Sequence, residues 1–119
     1  MTLIMEMIAM SQNNTVKEAV KNYNKKKNKL TILQAIDPSQ YDSKTISDEV
    51  NLLSAEMQQI EKNVRTAIAV NGIYSSIDVH NLVCQSIFGE ISRTELATAL
   101  GQSYASVCNL VSMALRCPM

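Results

Sequence analysis

Asn109 and Gln102 are the residues of this chain best suited to recognise a nucleobase, because a carboxamide donates and accepts at once and so pairs bidentately with adenine. They stand in SRTELATALGQSYASVCNLVSMALR, residues 92–116, beside Ser103, Tyr104 and Ser106, whose hydroxyls can donate to phosphate. Arg93 and Thr94 lie ahead of this group and Arg116 follows it, with no Lys or Arg between the two arginines. Neutralised phosphates supply most non-specific affinity for DNA, so a surface this uncharged predicts weak binding by a single copy.

His80 and Cys84, four apart, form a second chemically competent set with Cys108 and Cys117. Four such ligands suit zinc in principle, but their spacings match no compact zinc motif, and a buried Cys more often packs as a small hydrophobe. A Cys–His nucleophile needs a third, orienting group and oxyanion donors, and the sequence names none. It also lacks a phosphate-binding glycine loop and paired carboxylates at recognisable spacing. The expectation is a non-enzymatic protein with no metal and no cofactor.

The elements that must position these residues are helices. The 119 residues suffice for one small domain, and with one Phe, four Tyr, no Trp and seven Met the core must be aliphatic. Three Gly and two Pro leave few places for hairpin turns, so the predicted fold is all-α. Thr15-Val-Lys-Glu18 has the form of a capping box and opens a helix with Val16, Val20, Tyr23, Leu30 and Leu33 as its apolar stripe. Lys26 and Lys27 interrupt that stripe, which runs to about Ile36, and Asp37-Pro38-Ser39 ends it. A second helix carries Ile46, Val50, Leu53, Met57, Ile60, Val64 and Ala67 at alternating steps of four and three, and stops at Asn71-Gly72. This heptad stripe fits two seams, an antiparallel hairpin within the chain or a coiled coil between two copies.

Ser75-Ser-Ile-Asp78 caps a third helix whose apolar set is Ile77, Leu82, Val83, Ile87 and Phe88. Ser92-Arg-Thr-Glu95 is the best capping box of the chain and opens a fourth helix. Gly101 then turns the chain, and Ser103 caps a last helix that runs to about Arg116. Leu96, Ala97, Leu100, Val107 and Leu110 are spaced to pack the last two helices on each other as a helix-turn-helix. The chain thus divides into residues 1–14, a flexible or short amphipathic N-terminus; 15–72, a helical hairpin; and 73–119, a helix-turn-helix-like bundle of three helices. All three belong to one compact domain.

Charge is uneven although the formal net charge is zero. Between Thr15 and Ile36 lie six lysines (Lys17, Lys21, Lys25, Lys26, Lys27, Lys29) against one Glu, a local +5. From Asp37 to Glu95 nine acidic residues face four basic ones, a local −5. Either the two helices of the hairpin pair their charges or the basic one meets an anionic partner. Three cysteines without a CxxC pair speak for a reducing compartment. MTLIMEMIAM is shorter than the roughly 20 residues that span a bilayer, and lacks the basic start of a signal peptide. The expected location is cytoplasmic, with no membrane partner, and the Met-rich end could serve as adaptable packing over a dimer seam.

From Ile73 onward the order of motifs resembles the C-terminal region of phage sigma-like regulators, the ArpU- and RinA-type late-transcription activators. The likeness rests on Phe88, the turn Gly89-Glu90-Ile91-Ser92, the pair Leu96-Ala97, the turn Leu100-Gly101, then Val107, Leu110 and Ala114-Leu115. It implies a last domain like region 4 of sigma factors, preceded by a long helical hairpin. It also implies a small transcriptional regulator whose partners are DNA and RNA polymerase or another regulator, acting as a homodimer so that two weak readers add their affinities. Its DNA face would be Arg93, Thr94, Gln102, Ser103, Tyr104, Ser106, Asn109 and Arg116. The competing expectation, favoured by zero net charge and a neutral last helix, is a helical protein-interaction module (a regulator, anti-regulator or secretion-associated adaptor) that binds no nucleic acid.

Overall fold

The computed structural model describes residues 15–37, 39 and 42–119; the N-terminal segment 1–14, and the amphipathic turn and Met-rich packing expected of it, lie outside the described residues. The described chain is all-α, with five helices: α1 Val16–Gln34, α2 Ser43–Asn71, α3 Ile77–Ile87, α4 Arg93–Leu100 and α5 Tyr104–Leu115. α1 and α2 pack on each other as a helical hairpin, and α3 to α5 follow as a bundle.

The local reasons for these boundaries are mostly caps. Thr15, Ser76, Ser92 and Ser103 each accept an amide of the first helical turn on the side-chain oxygen. Asp42 does the same for α2, at Lys44, and is a cap the sequence reading did not single out. α1 ends two residues before Ile36, at the Ala35 cap, and beyond it Asp37 accepts the amide of Ser39 at 3.0 Å. α5 ends at Leu115 with Arg116 as its cap.

The heptad stripe is spent inside the chain. Leu53 and Val64 are buried, and Met57 and Ile60 pack against the central cluster. Ile46 and Val50 are half-buried at the far end of the hairpin, beside Leu33 and Ile36. The two lysines that interrupt the α1 stripe both reach neighbouring structure: Lys26 Nζ donates to Glu56 Oε2 at 2.5 Å, and Lys27 Nζ lies over Gly89 in the α3–α4 turn. The charge asymmetry is therefore met in part within the hairpin.

One hydrophobic cluster unites the hairpin with the C-terminal helices. Val16, Val20 and Tyr23 of α1 and Val64 and Ile68 of α2 meet Val83, Cys84, Phe88, Leu96, Val107, Val111, Ala114 and Cys117. Ile77, expected in this set, is 73% exposed, because it opens α3 before that helix reaches the core; Cys84 takes an inward place instead. The chain is drawn shut where the Val16 amide donates to the Cys117 carbonyl at 2.9 Å and Thr15 pairs with Pro118 as an isolated antiparallel bridge. No helix of the described residues is long and apolar enough to cross a membrane.

Tyr23 touches most of this arrangement. Its ring meets Phe88 edge-on, with centroids 4.8 Å apart and planes at 63°, and its hydroxyl donates to Glu61 Oε1 at 2.9 Å. Burial, and then the bond to Glu61, push the phenol up from 10.0 to about 12. A raised value in the folded state means stability is intact below pH 10 and is lost as the pH climbs from there towards 12. Tyr23→Phe should therefore flatten the alkaline limb of a plot of urea midpoint against pH, at a cost of about 1 kcal/mol at neutral pH for the lost hydrogen bond. An unchanged alkaline limb would show that Tyr23 is not the group responsible.

Candidate nucleic-acid interface

The α4–α5 unit is built by two caps and one glycine. Ser92 Oγ accepts the Glu95 amide at 3.0 Å while Glu95 Oε1 accepts the Ser92 amide at 3.2 Å, a complete capping box at the start of α4. At its other end Gly101 adopts φ 63° and ψ 34°, its amide donates to Thr98, and the Gln102 amide donates back to Ala97 at 3.0 Å. That pair of bonds is a Schellman ending, which needs a left-handed residue and so favours glycine. Ser103 then accepts the Ser106 amide at 3.2 Å and restarts the helix. The turn is only Gly101-Gln102-Ser103, the length that folds two helices across each other in a helix-turn-helix.

Leu96 and Val107 are fully buried where α4 crosses α5, with Ala97, Leu100 and Leu110 packed around them. Val111 and Ala114 continue the inward face of α5, so about 100° per residue fixes what looks outward. Asn109 is at the centre of the outward face, flanked by Ala105, Met113 and Arg116, all exposed. Gln102, Ser103 and Tyr104 are exposed too, at the N-terminal end of the same helix, where Tyr104 projects from the first turn. Ser106 is exposed but committed in part to the cap, accepting a hydrogen bond from Ser103 Oγ at 3.0 Å. Ser112 is half-buried, and its carbonyl accepts from Arg116 Nε at 3.3 Å.

The arginines reach this helix from both ends. Arg93 is the first residue of α4, yet its Nη1 lies 3.6 Å from Cys108 Sγ on α5, which brings a guanidinium beside the exposed face. Thr94 is exposed one position on, its carbonyl occupied by Thr98 Oγ1. Ala105 and Met113 are members of the face that the sequence reading passed over. Both lie four residues from Asn109, so the helical period places them on this face, while their apolar type gives no signal of base or phosphate contact. Tyr74 was also missed: from the α2–α3 loop its hydroxyl donates to the Leu110 carbonyl and holds α5 from behind. Burial pushes that phenol well above its usual value, so it stays protonated as the donor.

The thiol and imidazole set does not converge on a metal site; among the described residues no group of three or more His, Cys, Asp or Glu is placed to hold one. His80 Nε2 donates to the Arg65 carbonyl at 3.1 Å and lies 3.9 Å from Cys84 Sγ. Burial raises both Cys84 and Cys117 above the usual thiol value, which keeps them as packing groups rather than thiolates.

Gly101→Ala tests the turn on its own, since nothing lies within 4 Å of the added methyl and only the left-handed backbone opposes it. A loss of about 1–2 kcal/mol in urea unfolding is expected, most of it recovered by Gly101→Asn. Equal losses for the two would contradict the backbone account. Set against known proteins, the chain matches no family model, no curated protein and no solved structure.

Proposed function

We propose that α4 and α5 form the DNA-reading helix-turn-helix of a small, non-enzymatic transcriptional regulator, in line with the resemblance to phage sigma-like regulators. The observation that carries this reading is the three-residue turn at Gly101, which locks α5 by its buried face and leaves the Asn109 face outward. In this reading Asn109 and Gln102 address base edges and Tyr104 and Ser106 donate to phosphates, while Ser103, whose hydroxyl hydrogen goes to Ser106 Oγ, holds the cap between them. Arg93 beside Cys108 and Arg116 at the helix end supply the cations that α5 itself lacks. Two copies act together, because two cations per reader give little electrostatic affinity.

A second reading has an observation of its own. Met113, 42% exposed, and Ala105 give the outward face of α5 an apolar component that suits a protein partner such as RNA polymerase or another regulator. A mobility shift with random duplex DNA separates the two. Binding at about 50 mM salt that falls steeply by about 200 mM is expected, with Arg93→Ala lowering the salt slope by about 1. Asn109→Ala should leave random-sequence binding nearly intact and relax sequence preference in a selection experiment. No shift at the lower salt would remove the DNA reading and leave the interaction module.

A further inference from the structure

Ile32 on α1 and Leu52 on α2 are 66% and 55% exposed, large apolar side chains on a surface otherwise rich in charge. A groove of about 390 Å³ separates the two helices on this side, walled by Lys25 and Lys29 from α1 and by Glu49, Leu52 and Glu56 from α2. At about 100° per residue, Ile32 projects within roughly 20° of Lys25, so it borders the same face. Lys25, Lys29 and Glu49 make no ion pair among the described residues, where only Glu18–Lys21 and Lys26–Glu56 are joined.

The register of the hairpin follows from two contacts, Lys26 with Glu56 and Tyr23 with Glu61. It sets Ile32 level with the turn of α2 that carries Leu52, to within about 3 Å along the axis. Across the face, then, the order is an apolar edge on α1, a basic row, an acidic row and an apolar edge on α2.

We propose that this face is where two copies of the chain join, side by side and parallel, about a two-fold axis running along the hairpin. Such an axis exchanges left and right but keeps every residue at its level. It lays Ile32 of one copy against Leu52 of the other, and the basic row of each over the acidic row of the other, each contact occurring twice. The alternative two-fold, across the hairpin, stacks like charge on like. The lysine stems can cover the leucine while their ammonium groups meet carboxylates. The heptad seam is already filled by α1, so pairing through this outer face leaves the fold intact. The inference deepens the proposed function, because a parallel pair carries both α4–α5 units at the same end, and it rests on that reading only for its purpose.

The test reads mass, in the absence of DNA. Light scattering on the full chain should give twice the chain's mass. Lys29→Glu and Glu49→Lys should each weaken self-association about tenfold or more, since each sets like charges against one another twice. An equimolar mixture of the two should recover much of the dimer, because in one half of the mixed pair both rows keep their wild-type charges. Leu52→Lys should give monomer with unchanged helical circular dichroism. A monomeric wild type overturns the proposal, as does a mixture no better than its components or a dimer indifferent to all three changes. Loss of DNA binding with the dimer intact would count against the functional reading alone.

Discussion

Tyr23 is the side chain on which the architecture turns. α1 has to be covered on one side by α2 and on the other by the C-terminal helices, and Tyr23 is buried where the two coverings meet. Its ring packs against Phe88 at the end of α3, while its hydroxyl reaches Glu61 on α2. In a chain with one Phe and no Trp there is little other aromatic surface to join these layers. The bond to Glu61 also satisfies a phenol that would otherwise be buried without a partner. Hairpin and bundle therefore share a core, and α5 inherits its position from that core through Val107, Val111 and Ala114.

Electrostatics acts at a second level. The lysine run looks like a single patch when read as a string, but the fold divides it. Lys26 is half-buried against Glu56, Lys27 bends over the α3–α4 turn, and Lys25 and Lys29 remain on the outer surface. A half-exposed pair such as Lys26–Glu56 contributes little stability. The value of these charges lies in specifying register and approach, which is why the distribution of charge matters here more than its sum. α5 shows the opposite arrangement, a neutral face whose cations come from the start of α4 and from its own cap.

Much of this was legible in the sequence because it depends on local chemistry. Serine and threonine caps at Thr15, Ser76, Ser92 and Ser103, and the stops at Gly72 and Gly101, follow from backbone groups that must be satisfied within a turn. The apolar stripes of α1 and α2 were readable too, but not which partner fills the heptad seam, since period alone is the same for a hairpin and a coiled coil. What the sequence hid depends on distance in space. Ile77 has the type of a core residue and lies outside because its turn overhangs the bundle. The Tyr74 bond to α5 joins residues with no periodic relation, and the Arg93–Cys108 approach depends on how closely α4 crosses α5.

The tie between Val16 and Cys117 bears on the order in which the molecule assembles. The α4–α5 contacts are short in sequence and the α1–α2 pair Lys26–Glu56 spans 30 residues, whereas this one joins opposite ends of the described chain. During synthesis α1 can pair with α2 long before Val16 finds its carbonyl, so the apolar edge it will offer to α5 stays uncovered until the last helix has emerged.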